Sequence, residues 1–320
     1  MKHIKIPAPE LTVSKEILPF IQKPADETWI SHIDKYEDWK NLQENYFKAK
    51  QKIIPKLAKD LKVTFTKELR NGVNTFCLLP DYIKKEDENK VILFFHGGSY
   101  VVGQDISRLT EAIAICANTK LKLISVDYKM PPEYPYPQAI NDAFCVYKDL
   151  LKTIKPSQIA LAGTSTGGAI ALIVPQLIKE QNLPMPAAIS AATPWSDFNK
   201  IGDSYYTNEN INNFLVRYDS LLKDSALLYA KGQDFFNPKI SPVYADIKRF
   251  PPTIFFSGTR DLFLSNTVRM QKKYLEEEIE NQLIVFEGLS HAQYYQNPKS
   301  PECELYCKEI RKFILKYMDK

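Results

Sequence analysis

Six short runs, at residues 91–95, 121–126, 158–162, 187–192, 253–257 and 283–286, are apolar at consecutive positions instead of alternate ones. A strand with one wet face alternates apolar with polar residues; a strand apolar on both faces must be covered on both. Between most of these runs lie stretches with helical periodicity, such as 106–118 and 137–151. Short doubly apolar strands alternating with helices restrict the chain to an α/β fold, with a mostly parallel sheet and helices on both of its faces. Ahead of them, residues 63–69 and 75–79 alternate and flank Asn71-Gly72, the strongest short-range signal for a two-residue antiparallel hairpin.

The flanking material is of a different kind. Residues 1–62 contain no glycine and place Trp39, Leu42, Tyr46, Ile53, Leu57 and Leu61 at helical spacing, so this segment reads as an amphipathic helical cap, interrupted at Pro55. Residues 63–320 then form the α/β domain proper. Within it, residues 198–250 exceed an ordinary loop and include a helical pattern at 215–228, which marks a second cap element inserted between two strands. A last helix is expected over 301–318, with acidic residues in its first turn.

In sheets of this type, sites form at the carboxyl ends of the strands. Five of the six runs end in polar or glycine-bearing loops: His96-Gly97-Gly98-Ser99, Asp127-Tyr128, Gly163-Thr164-Ser165-Thr166-Gly167-Gly168, Gly258-Thr259-Arg260-Asp261 and Gly288-Leu289-Ser290-His291. Of only 11 glycines, seven (Gly97, Gly98, Gly163, Gly167, Gly168, Gly258 and Gly288) lie within four residues of His96, Ser165, Asp261 or His291, so backbone freedom is concentrated there. Ser165 lies in a Gly-x-Ser-x-Gly turn between an apolar run and a helical pattern, the context that holds a hydroxyl exposed as a nucleophile at a helix N-terminus.

A serine nucleophile needs a base, and the chain has four histidines. His3 is near the terminus, His32 lies in the helical N-terminal segment and His96 precedes two glycines; His291, in a loop after the last run, is the candidate base. The carboxylate that orients it is expected at Asp261, which follows a strand and gives the chain order Ser, Asp, His; Asp127 and Asp197 also lie near strand ends. Arg260 should point away from Asp261. Backbone N–H groups of Gly97, Gly98, Ser99 and Thr166 can converge on an oxyanion formed at Ser165.

These pieces resemble the hormone-sensitive-lipase family of α/β-hydrolases, the family IV carboxylesterases. The similar segments are His96-Gly97-Gly98, Asp127 to Glu133, Gly163 to Gly168, Pro194-Trp195-Ser196-Asp197, Ser241-Pro242, Pro251-Pro252-Thr253, Gly258 to Asp261 and Gly288 to His291, in the family's order. The wording around Asp261 and His291 is similar to small-ester and epsilon-lactone hydrolases. The resemblance implies an eight-stranded sheet with a helical cap, catalysis by Ser165, Asp261 and His291 on carboxylic esters of short to medium acyl chains, and no metal or organic cofactor. Two positions depart from the family pattern: Ser99 stands where a third glycine is usual, and Thr164 and Thr166 flank the serine where Asp and Ala are usual. Thr164 removes a charge near the nucleophile, and Thr166 narrows the acyl side.

Other classes have less support. A net charge of +4 without a dense basic run gives no basis for nucleic-acid binding. Five cysteines, with no histidine beside Cys303 and Cys307, suggest reduced thiols and no metal. No secretory h-region and no membrane-length apolar run are evident, so a cytoplasmic enzyme acting on a small-molecule ester is expected. The alternatives are a lactone hydrolase and a non-catalytic small-molecule binder on the same fold, as in the plant gibberellin receptors, which lack the catalytic histidine. A homodimer through the strand near 283–286 is a further expectation.

Overall fold

The computed structural model describes residues 12–319. His3 lies outside them. A short helix α1 (Leu18–Ile21) and a 3-10 turn (Glu27–Ile30) lead into α2 (Tyr36–Gln51) and α3 (Ile53–Asp60). The chain then runs β1 (Val63–Arg70), β2 (Val73–Pro80), β3 (Val91–Phe95), α4 (Leu109–Thr119), β4 (Lys122–Val126), α5 (Gln138–Leu150), β5 (Ile159–Thr164), α6 (Thr166–Glu180) and β6 (Ala188–Ala192). An insertion with α7 (Ser204–Thr207) and α8 (Leu221–Ala230) follows, and β7 (Thr253–Gly258), α9 (Leu264–Glu276), β8 (Asn281–Phe286) and α10 (Pro301–Tyr317) complete the fold.

The eight strands form one sheet in the order β1-β2-β4-β3-β5-β6-β7-β8. β1, β2 and β4 pair antiparallel, through a turn in which Asn71 and Gly72 have φ of 48° and 84°, and every other pair is parallel. The strand-by-strand alternation explains the doubly apolar runs. Val91, Leu93 and Phe95 pack into one core layer with α5, α6 and α8, while Ile92 and Phe94 pack into the opposite layer with α4 and α10. Successive side chains of a strand point to opposite faces, so a strand sandwiched between two helical layers needs apolar residues at every position. β4 follows β3 on one side and β5 adjoins β3 on the other, so the order reverses at β3. That reversal opens a crevice at the carboxyl ends of β3 and β5, where the serine loop and the His96 loop meet.

Three expectations need correction. The segment before α2 is mostly irregular: Pro19 sits in the first turn of the four-residue α1, Pro24 lies beyond its end, and the backbone is tied instead by side chains, as where Ser14 N and Oγ donate to Glu302 at 2.7 Å. The insertion helix starts at Leu221, not at 215. There Asn212 Oδ1 accepts from the N–H groups of Phe214 and Leu215 at 3.0 Å, Val216 has a left-handed φ of 59°, and Leu215, Val216 and Tyr218 are buried in the core, so their apolar spacing serves a packed loop. Pro55 sits in the first turn of α3, where no N–H is needed, and the break falls at Lys52.

Candidate active site

The turn that holds Ser165 is strained and close-packed. Ser165 has φ 60° and ψ −120°, outside the regions L-residues favour, a conformation that costs on the order of 1–3 kcal/mol and persists only where neighbours enforce it. They do so through backbone bonds: Ser165 N donates to Ala192 O at 2.9 Å, and Trp195 N donates to Ser165 O at 3.1 Å. A Cβ on Gly163 would lie 2.2 Å from Gly167 O, and one on Gly167 would lie 1.9 Å from Phe95 O. Both glycines are therefore required by the approach of β3, β5 and α6, and Ser165 is carried directly onto the N-terminus of α6.

His291 and Asp261 meet beside it. Nδ1 of His291 lies 3.0 Å from Asp261 Oδ1, with both side chains almost fully buried. The carboxylate is held by three further donors: Thr193 Oγ1 to Oδ2, Ser257 Oγ to Oδ2 at 3.3 Å and Phe263 N to Oδ1 at 2.9 Å. An ionised carboxylate accepts only, so Nδ1 of His291 carries the proton and Nε2 presents a lone pair. Phe263 packs edge-on against the imidazole at 4.9 Å and Phe214 stacks more distantly at 6.2 Å. These contacts fix the ring plane.

Ser165, His291, Gly97, Gly98 and Ser99 line one small cavity of about 20 Å³, roofed by Trp29 of the N-terminal segment and by Phe214 and Leu215 of the insertion. It opens beside a larger cavity of about 300 Å³, with Gly97, Arg108, Phe214 and Tyr295 lining both. Gly98 and Ser99 have φ of 130° and 53°, a run of left-handed backbone that lets successive N–H groups face one point. A Cβ on Gly97 would lie 3.1 Å from Ser165 Cβ, so the loop lies against this serine. Thr166, the first residue of α6, is fully buried and does not line the small cavity; only its backbone N–H is relevant there.

The other candidates are accounted for elsewhere. His96 is buried, stacks on Tyr128 at 4.1 Å and contacts Gly97 O through Nδ1 at 2.8 Å; burial lowers its pKa to about 3, so it stays neutral and braces the loop. His32 is exposed and pairs with Asp224 at 3.0 Å. Asp127 accepts from Asp105 N at 2.9 Å, and Asp197 pairs with Arg269 at 2.6 Å, so neither serves His291. The five cysteines are free, and no cluster of metal-ligating side chains occurs among the described residues.

Two polar residues at the site went unread in the sequence. Thr193 bonds Asp261 and lies 3.2 Å from His291 Nδ1. Glu111 of α4 is buried, and its Oε1 accepts from Thr164 Oγ1 and, at 2.8 Å, from Tyr306 of α10. The carboxyl missing at position 164 is thus supplied from another helix, through the Thr164 hydroxyl. Burial raises its pKa to about 7 against the opposing pull of these hydrogen bonds and of Arg108.

A strained serine between strand and helix, a buried His–Asp pair and a left-handed N–H loop on an eight-stranded, mostly parallel sheet define an α/β-hydrolase site. A family model described as alpha/beta hydrolase fold matches residues 92–295. The esterase E25 superimposes with a TM-score of 0.94 at 33% identity, covering 98% of this chain and 97% of that one. An esterase of Acinetobacter venetianus is 27% identical over 232 residues, 70% of this chain and 74% of that protein. An acetyl-hydrolase of Streptomyces hygroscopicus is 27% identical over 216 residues, 67% and 72% respectively. The chain belongs to this alpha/beta hydrolase family and is an esterase.

Proposed function

We propose that the chain hydrolyses carboxylic esters of short to medium acyl length through an acyl-Ser165 intermediate. His291 Nε2 takes the serine proton as the hydroxyl attacks the carbonyl, then delivers it to the departing alcohol. In the second half it takes a proton from water, which attacks the acyl carbon, and returns that proton to Ser165 Oγ as the acyl–oxygen bond breaks, releasing the acid and free Ser165. Asp261 holds the imidazole tautomer and stabilises the imidazolium, and N–H groups of Gly97, Gly98, Ser99 and Thr166 stabilise the oxyanion. The observation that carries this reading is the buried His291–Asp261 hydrogen bond at 3.0 Å, whose histidine shares a cavity with strained Ser165. No cofactor enters the scheme.

The short-to-medium range rests on the cavity of about 300 Å³ that adjoins the site, at the lower end of the roughly 300–1,000 Å³ typical of ligand sites. Lactone opening is the same chemistry on a cyclic ester. Residues 12–62 and 198–250 act as the cap of the domain that begins at 63: Asn213 Nδ2 donates to Phe20 O at 2.8 Å, and Asp26 N donates to Asn213 O at 3.0 Å, closing one segment on the other. No helix among the described residues is long and apolar enough to cross a membrane, which is compatible with a cytoplasmic enzyme. β8 forms one edge of the sheet and is the surface proposed for a homodimer, checked by mass measurement in solution.

The test is hydrolysis of 4-nitrophenyl acetate, butyrate, octanoate and palmitate by the wild type, Ser165→Ala and His291→Ala. Loss of at least about 10³-fold in both variants is expected, with turnover highest below palmitate. A folded wild type that cleaves none of these esters and whose Ser165 resists a fluorophosphonate would overturn the reading in favour of a binding protein.

A further inference from the structure

The larger cavity beside Ser165 carries more positive charge than ester hydrolysis requires. Three cations line it, Lys23, Lys50 and Arg108, against the carboxylate of Asp26 and the carboxyl of Glu111. Asp26 is already engaged in capping the turn that follows, accepting from Thr28 N at 3.0 Å, and Glu111 is turned to Thr164 and Tyr306. Each of the three cations lies over an aromatic ring: Lys23 over Phe20 at 4.8 Å, Lys50 over Tyr46 at 5.9 Å and Arg108 over Tyr46 at 4.2 Å.

Arg108 is the most deliberately placed of them. Its side chain runs across two glycines that have no room for anything else: a Cβ on Gly103 (φ 118°) would lie 2.2 Å from its Cγ, and one on Gly98 (φ 130°) would lie 2.7 Å from its Nη2. The guanidinium is thus packed between Tyr46 and the loop that faces the nucleophile. Arg70, Arg269 and Arg311 each hold a carboxylate, whereas Arg108 holds none among the described residues, and its Nε is buried without a partner. Glu111 feels the Arg108 charge, but its carboxyl is turned to Thr164 and Tyr306 and forms no ion pair with it, so this sheltered cation is incompletely compensated; ring stacking offsets part of that cost and an anionic ligand offsets more.

We propose that this cavity selects esters bearing a second, anionic group, a carboxylate that Arg108 receives with Lys50 and Lys23 behind it, while the ester carbonyl sits at Ser165. The inference rests on the esterase reading and adds its substrate class: half-esters of dicarboxylic acids, or esters whose alcohol carries a carboxylate. Guanidinium and carboxylate match as planar, charge-assisted partners, which is why arginine and not lysine occupies the position next to the loop.

The experiment compares kcat/KM for mono-4-nitrophenyl adipate with 4-nitrophenyl hexanoate, placing the charge on the acyl arm, and for 4-acetoxybenzoate with methyl 4-acetoxybenzoate, placing it on the alcohol arm. The wild type should favour the charged ester of at least one pair by about tenfold or more, and the preference should shrink as salt is raised. Arg108→Gln should lower the charged-to-neutral ratio of that pair by about 10- to 100-fold, mainly through KM, the range expected for losing a charge-assisted hydrogen bond, and Arg108→Lys should restore part of it. Lys23→Gln/Lys50→Gln should lower the same ratio less, and this variant decides the matter if the arginine variants do not fold. Equal turnover of charged and neutral esters by the wild type, or a ratio unchanged in the variants, would show Arg108 to be only a strut between Tyr46 and the loop. Labelling of Ser165 by a fluorophosphonate separates the two failures: with labelling, only the anion site is lost; without it, the esterase reading falls as well.

Discussion

Glu111→Gln isolates the buried carboxyl behind the Ser165 turn. Both donors to Glu111, Thr164 Oγ1 and Tyr306 OH, use the same oxygen, Oε1, so the glutamine amide oxygen retains both and the substitution removes little besides the ionisation. Burial, which outweighs the hydrogen bonds from Thr164 and Tyr306 and the nearby Arg108 charge, raises the pKa of Glu111 from 4.5 to about 7. A folded-state pKa above the unfolded one means that the folded protein keeps a proton the unfolded chain has released. The stabilising contribution is therefore full below about pH 4.5 and is lost as the pH rises through about 7. The span from 4.5 to about 7 corresponds to about 3 kcal/mol. Glutamine has no such slope. Urea unfolding of wild type and variant, followed by tryptophan fluorescence at about pH 4.5 and about pH 8.5, should show the variant gaining about 3 kcal/mol on the wild type between the two conditions. A stability difference that stays constant across that range would refute the argument that Glu111 is held neutral by burial.

Three further outcomes follow from the same geometry. Asp261→Asn should cut kcat by about 10³- to 10⁴-fold with KM for 4-nitrophenyl butyrate nearly kept, because the amide no longer enforces the Nδ1–H tautomer; a loss below tenfold would mean that another group orients His291. Thr193→Val removes one of the four bonds to the Asp261 carboxylate and should lower kcat/KM about tenfold with an unchanged circular dichroism spectrum, whereas wild-type kinetics would show the Thr193 bond to be idle. Gly167→Ala places a methyl 1.9 Å from Phe95 O and should cost about 3 kcal/mol or more, read as a fall in Tm; an unchanged Tm would contradict the close approach of β3 and α6.

How much of this was legible beforehand follows from the range of the forces involved. Doubly apolar strands, the Asn71-Gly72 turn, the glycines around Ser165 and the order Ser165, Asp261, His291 are local signals. Each is imposed by the pleat, by backbone sterics or by the need for a loop at a strand end, and each is therefore written within a few residues of where it acts. The helix boundaries before Tyr36 and at Leu221 were misread because apolar spacing is the same whether a helix or a packed loop buries the residues. Pairings between distant elements carry no such signature. Thr193 reaches Asp261 across 68 residues, Glu111 reaches Tyr306 across 195, and the insertion's Asn213 reaches Phe20 across 193. Arg108 reads as an ordinary polar residue in the first turn of a helical stretch until Tyr46, Gly98 and Gly103 are brought around it. The sequence by itself determined the sheet, the strained serine turn and the loops that carry the proposed reacting groups, because short-range backbone constraints specify them. Only the tertiary structure decided what orients the carboxylate, what backs the nucleophile strand and which charges face the substrate, because those depend on packing that joins helices and loops far apart in the chain.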